Sequence, residues 1–298
     1  MYETSYLVAD INTFSSDKLP QDSKMQVLKS SILAPEFNIA SPRYEAEIIL
    51  AHVLNTTRVS LHTNPKKEVN DFNKQRYFKL LAMRKNGTPL EYITNKTQFF
   101  GHNFYVDKSV LIPRNETEIL VEKALELMKK EGITHFIEVG VGSGAVSLSI
   151  LKEMENAYSI ATDISKEALN VAKYNAESLG VKNRCDFVES NLLQSPFLIT
   201  QKPIPLLLSN PPYIANSYPL NQEVLCEPHI ALFGGESGDE ILKNLAFEAR
   251  QKGIKYLICE MGYDQKDSMA DFLEKIGYEP EFYKDYAGLD RGFVARLV

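Results

Sequence analysis

The chain has 298 residues, with 33 Lys and Arg against 39 Asp and Glu, for a net charge of -6. A hydrophobic fraction of 44% with 24% charged residues excludes a disordered chain. The acidic balance disfavours a dedicated binder of duplex DNA or another polyanion, and the length is that of two domains or one large one.

Three scattered cysteines, Cys185, Cys226 and Cys259, have no C-x-x-C spacing. They suit neither a disulfide framework nor a zinc knuckle, and they fit a reducing cytoplasm. The five histidines show no i, i+4 pairing, so no metal site is expected. Residues 1–24 carry Asp10, Asp17 and Asp22 without an unbroken apolar core, so they read as an N-terminal extension and not a signal peptide. No run of ~18 apolar residues marks a membrane span.

A first helix is expected near Met25–Leu33. Ser41 can cap the next, with Pro42 at its first position and Ala46, Ile49, Leu50 and Val53 on one face. A further helix runs through Tyr77, Leu80 and Leu81 to a stop at Gly87, with Pro89 behind it. Residues 25–96 therefore read as a small helical domain. Its stretch 65–96 holds eight Lys and Arg against three acids, which suits either solvated helix faces or a docking surface for an acidic partner.

Residues 97–114, aromatic and branched around Gly101, predict a hairpin linking the domains. Asn115, three residues before Glu118, predicts a cap for a helix bearing Leu120, Ala124, Leu127 and Met128 on one side. From 115 to 298 a second domain follows. Apolar strands near 134–139, 159–162, 186–188, 205–209 and 256–259 alternate with helices at 165–178, 239–252 and 264–276. That rhythm predicts a parallel α/β sheet covered on both faces, with ligands at the carboxyl ends of its strands. Residues 279–286 and 292–298 follow one another without a helix between, predicting a closing antiparallel hairpin.

The first strand runs into Glu138-Val-Gly140-Val141-Gly142-Ser143-Gly144 at the start of a helix. Such glycines let a ligand touch the backbone at a helix N-terminus. The loop fits a dinucleotide or S-adenosylmethionine equally. Asp163, about 20 residues on, is placed for a ribose diol; it also stands where it would cap the helix beginning after Ser165.

The fourth strand ends in Asn210-Pro211-Pro212-Tyr213. Two prolines stiffen the loop, and Asn210 before them is pushed to extended backbone. The set offers carbonyl acceptors, one side-chain amide and an aromatic face. These match a planar –NH2 group, whose two N–H bonds can be accepted while its nitrogen is drawn toward a methyl donor. A stiff turn with a packed Tyr213 is the plainer reading. Behind a glycine loop and a ribose acid, the loop instead favours S-adenosylmethionine over a nicotinamide.

These residues resemble the protein-(glutamine-N5) methyltransferases of bacterial peptide-chain release factors, the HemK/PrmC family. The likeness spans roughly 41–298. It rests on Gly87–Ile93, Phe99–Phe104, Leu111–Glu118, Glu138–Gly144, Asp163, Asn210–Tyr213, Glu227-Pro228, Gly234-Gly235 and Asp285–Arg291. The Asn-Pro-Pro-Tyr loop is shared with adenine-N6 methyltransferases; the segment at 111–118 and the Gly-Gly block are more specific to the glutamine enzymes.

The resemblance implies a Rossmann-like, seven-stranded methyltransferase sheet and a helical substrate-recognition domain in a cytoplasmic monomer. S-adenosylmethionine would lie over Glu138 and Gly140–Gly144, its ribose on Asp163 beside Ile164, its adenine near Asn191 and Leu192. The glutamine of a release factor's Gly-Gly-Gln motif would enter at Asn210, Pro211, Pro212 and Tyr213. Phe100, Arg114, Glu116 and Thr117 would line the side toward the helical domain. Asn95, Asn115 and Asn191 depart from the residues usual in the family. Other readings stay open: a ribosomal-protein glutamine or adenine N6 as acceptor, or a non-catalytic cofactor-binding module.

Overall fold

The computed structural model describes residues 41–63, 68–198 and 204–298. The 1–24 extension and the helix expected at 25–33 lie outside the described residues. The chain divides into two compact units, residues 1–95 and 96–298.

The first unit is helical: α1 (Pro42–Val53), α2 (Arg58–Thr63), α3 (Asp71–Lys85) and α4 (Leu90–Thr94). Pro42 opens α1 as expected, but the Ser41 side chain makes no capping bond. Proline at the first helical position removes a donor that would have no intrahelical partner anyway. Asn70 does cap α3, accepting Asn73 N–H at 2.9 Å. Ile49, Leu50, Leu61, Tyr77, Leu81 and Ile93 form the core. Buried Glu47 receives Arg43, Arg58 and His62.

The second unit begins with the hairpin β1 (Thr97–Phe99) and β2 (His102–Phe104), which turns through Phe100 and Gly101 at positive φ. α5 (Glu118–Glu131) follows a 3-10 turn at Asn115–Thr117. The expected Asn115–Glu118 cap does not form: the helix is entered from Thr117 without a side-chain cap. Glu118 instead accepts the N–H of Phe100 at 2.7 Å, holding the strained hairpin tip. A donor exposed by a positive-φ turn is a better partner for that carboxylate than the helix's own first turn.

The remaining elements, in chain order, are β3 (His135–Val139), α6 (Ala145–Glu153), β4 (Tyr158–Asp163), α7 (Lys166–Ser178), β5 (Cys185–Glu189), β6 (Leu206–Ser209), β7 (Ile214–Ala215), β8 (Phe233–Gly235), α8 (Glu240–Gln251), β9 (Tyr256–Glu260), α9 (Lys266–Lys275), β10 (Tyr278–Lys284) and β11 (Asp290–Leu297). Seven strands make one sheet in the order β10-β11-β9-β6-β3-β4-β5. β5, β4, β3, β6 and β9 run parallel, and β11 is antiparallel to both β9 and β10. One face packs against Leu120, Met128, Leu148 and Ala172, the other against Leu242, Leu245, Met269 and Leu273. Every residue of β6 and β9 is buried, as parallel strands covered on both faces require. The chain order reverses between β3 and β6, which opens a crevice at their carboxyl ends. Among the described residues no helix is long and apolar enough to cross a membrane.

Candidate active site

Three loops meet in that crevice. After β3 the chain turns through Gly140, Gly142 and Gly144 at φ +75°, +53° and +86°, a region that penalises side chains. The N–H groups of Gly140 and Val141 donate to the Thr162 carbonyl at 2.9 and 2.8 Å, fastening the loop to β4. A Cβ on Gly140 or Gly142 would meet nothing within 4 Å, so it would project into open space. A Cβ on Gly144 would sit 2.7 Å from Leu148 Cδ1. That glycine answers to the packing of α6. Buried Asn175 donates to Ser143 O at 2.8 Å and exchanges bonds with the Tyr105 backbone, bracing the loop from behind.

Asp163 ends β4 with Oδ2 accepting Gly142 N–H and Oδ1 accepting Ser165 N–H, both at 2.9 Å. The helix cap is Ser165, whose hydroxyl accepts Ala168 N–H at 3.1 Å. Burial raises the Asp163 pKa against the pull of those backbone donors. Glu138 accepts Ser147 N–H at 2.9 Å, and burial pushes its carboxyl up to about 8.

The Asn-Pro-Pro-Tyr loop follows β6, where the Ser209 hydroxyl donates to Val139 O at 2.7 Å. Its backbone is held at close quarters. A Cβ on Gly234 would lie 2.5 Å from Pro212 O, and one on Gly238 2.5 Å from Tyr213 O. Gln265 Nε2 donates to Tyr213 O at 2.9 Å. The side chains form a relay: Asn210 Nδ2 donates to Thr117 Oγ1 at 3.1 Å, Thr117 to Glu260 at 2.7 Å, and Tyr213 OH to Glu260 at 3.0 Å. Glu260 is 1% exposed. Burial raises its pKa, opposed by the two hydroxyls and by the charge of Arg291. Burial, and then Glu260, push the Tyr213 phenol up.

These loops enclose a cavity of about 340 Å³. Its wall includes Glu138, Gly140, Val141, Gly142, Ser143, Asp163, Ile164, Asn191, Leu192, Asn210, Pro211, Pro212 and Thr117. Gly144, Tyr213, Phe100 and Arg114 are not part of it. Arg114 pairs with buried Glu227, which also accepts Ile112 N–H at 3.0 Å. That joint fastens the 111–114 segment to the loop whose Pro228, Ile230 and Ala231 close the cavity. Asn175, Gln265 and Glu260 escaped the sequence reading. Glu260 alone left a trace, a carboxylate ending the apolar run Tyr256–Cys259.

The wall thus gathers three kinds of group into one cavity. They are the open backbone of the glycine turn, the Asp163 carboxylate at the end of β4, and the Asn210 amide held by Thr117.

The PrmC N-terminal domain family matches residues 32–94, and the methyltransferase small domain family matches 115–232. A protein of Dictyoglomus turgidum named release factor glutamine methyltransferase is 36% identical over 263 residues, covering 86% of this chain and 92% of its own length. One of the same name from Clostridium acetobutylicum is 34% identical over 278 residues, covering 91% and 97%. Among solved structures, the hMettl16 catalytic domain in complex with MAT2A 3'UTR hairpin 1 superposes with a TM-score of 0.53 at 16% identity, over 76% of this chain and 81% of that one. That last likeness is one of fold.

Proposed function

The chain belongs to the release factor glutamine methyltransferase family, and from that premise we propose that it transfers a methyl group from S-adenosylmethionine to the side-chain amide nitrogen (N5) of the glutamine in a release factor's Gly-Gly-Gln motif. The observation that carries this reading is that Asn210 lines the same cavity as the glycine turn and Asp163.

The residues fit the cofactor. Gly140 and Gly142 leave the space a side chain would fill. Asp163, with Ile164 next to it, offers a carboxylate for the ribose hydroxyls, and Asn191 and Leu192 line the same cavity for the adenine. When bound, S-adenosylmethionine would supply an electrophilic methyl carbon, whose bond to the sulfonium sulfur breaks on transfer and leaves the neutral thioether S-adenosylhomocysteine.

The protein's own part is to make a poor nucleophile attack. Asn210 Oδ1 and the Pro211 carbonyl accept the two N–H bonds of the substrate amide. The amide nitrogen is thereby drawn out of conjugation as its bond to carbon forms. Holding nitrogen and methyl carbon in line replaces a bimolecular encounter and is worth ~7–11 kcal/mol in well-oriented systems. The methylated nitrogen then releases its extra proton to water. Tyr213 stands outside the cavity wall, and its hydroxyl, committed to Glu260, anchors the end of the loop that carries Asn210. The helical unit is assigned to substrate recognition, and the enzyme to the cytoplasm as a monomer.

The test is transfer of label from S-adenosylmethionine. A release factor should be labelled; the same factor with its motif glutamine changed should not. A ribosomal-protein substrate and duplex DNA serve as competing acceptors. Label on DNA, or label surviving the glutamine change, would overturn the assignment.

A further inference from the structure

Glu260 does not line the cavity, yet three side chains that bear on the site are arranged by it. An ionised carboxylate only accepts hydrogen bonds. Thr117 and Tyr213 each have one hydroxyl hydrogen, and both point theirs at Glu260, at 2.7 and 3.0 Å. Thr117 Oγ1 is then left with lone pairs alone, so only a donor can approach it. That donor is Asn210 Nδ2 at 3.1 Å. With its NH2 end committed, the Asn210 amide has its oxygen as the free end. A substrate –NH2 group needs that oxygen; the opposite orientation would place donor against donor.

A cation on the neighbouring strand favours this order. Arg291, at the start of β11, is paired with Asp285 at 2.9 Å, and its cation, with the two hydroxyls, opposes the rise that burial imposes on the Glu260 pKa. Glu116, Tyr283, Cys259 and Tyr213 are the other titratable groups in this neighbourhood, with Glu116 and Tyr213 opposing or sharing that charge. The Asp285–Arg291 pair and Thr117 thus bear on one carboxylate.

We propose that Glu260 is a positioning residue for this reaction: through Thr117, its carboxylate dictates which end of the Asn210 amide is presented to the substrate. This rests on the reading of Asn210 as the acceptor for the glutamine amide. Glu260 itself touches no reacting atom.

The experiment compares Glu260→Met, Thr117→Val, the double variant and Thr117→Ser with wild type, using labelled S-adenosylmethionine and a release factor. Methionine fills the buried volume without a charge, and replacing a buried charge by an apolar residue of similar size is often tolerated. The expected result is a fall in kcat of about ten- to hundredfold, the range typical when an orienting partner behind a site is lost. Cofactor Kd, by calorimetry, should stay within about threefold. The double variant should lose no more than the worse single one, because both break one relay. Thr117→Ser should recover the larger part of what Thr117→Val loses.

A Glu260→Met enzyme that keeps kcat within about threefold, or losses that multiply in the double variant, would overturn the proposal. The same follows if the whole loss appears as weakened cofactor binding. Where Glu260→Met proves too unstable to purify, the Val and Ser variants at 117 decide: equal kcat for the two overturns it. Wild-type enzyme that labels no release-factor glutamine removes the underlying reading and this inference together. Wild-type activity with an indifferent Glu260 removes only the inference.

Discussion

Replacing Gly234 by alanine tests whether the Asn-Pro-Pro-Tyr loop is positioned by direct backbone contact. Gly234 has an ordinary φ, so the substitution brings steric cost alone. The new Cβ would stand 2.1 Å from Gly238 O and 2.5 Å from Pro212 O. Ordinary C···O contacts lie at ~3.3–3.6 Å, so one backbone or the other must retreat by about 1 Å. Neither obstacle is the far end of a flexible side chain. The loop that retreats carries Asn210 two residues upstream of Pro212, and a misplacement of that size can cost ~100-fold in rate. Overpacking of this kind typically costs ~1–3 kcal/mol of stability, so the protein should remain folded. The glycine turn and Asp163 are unaffected. We therefore expect kcat to fall about 100-fold while cofactor Kd, measured by calorimetry, changes by less than about threefold. Gly253→Ala is the control: φ is +67° there with nothing within 4 Å, so it strains the backbone without moving the loop and should leave kcat unchanged. A Gly234→Ala enzyme with near-normal kcat would refute the idea that this contact sets the loop.

Three further outcomes are expected. Asn210→Ala should lower kcat by ~10²–10³-fold, the cost of losing one preorganised polar group at a transition state, with cofactor binding largely kept; a normal rate at saturation would exclude Asn210 from the chemistry. Asp163→Asn should weaken S-adenosylmethionine binding by ~10–150-fold, since a hydrogen bond to a charged group is worth ~1.5–3 kcal/mol; titration calorimetry reads this, and an unchanged Kd would remove Asp163 from the ribose site. Glu138 has a folded pKa of about 8 against an ordinary 4.5, so the fold binds its proton more tightly than the unfolded chain does. Stability should therefore decline as pH rises from about 4.5 to about 8, by at most ~5 kcal/mol, and Glu138→Gln should flatten that decline in urea titrations. An unaltered pH profile would show that Glu138 does not carry it.

Much of this arrangement was legible from residue order because it depends on local rules. The helix stripe at Ala46, Ile49, Leu50 and Val53, the glycine turn with Asp163 one strand later, and the helix-free tail each follow from periodicity or turn chemistry within a short window. Where reading by window failed, a distant partner had won. Glu118 has the spacing to cap its own helix, yet it serves Phe100, 18 residues back. Glu260 lies 143 residues from Thr117, a separation no local pattern encodes. The Gly234-Gly235 block was visible only through resemblance; its physical reason, room for Pro212 O, appears once β7 and β8 are paired. Arg114 was expected along the site and is turned instead to Glu227, because a buried carboxylate needs a cation more than an open cavity does.

The placement of β11 has a consequence for how the molecule comes into being. It inserts between β9 and β10, strands already synthesised, and β10 has no other neighbour in the sheet. β10 therefore reaches the sheet only through β11. Until residues 290–297 are available, Arg291 is missing from beside Glu260, and Tyr283 lacks the glycine at 292 against which its hydroxyl sits.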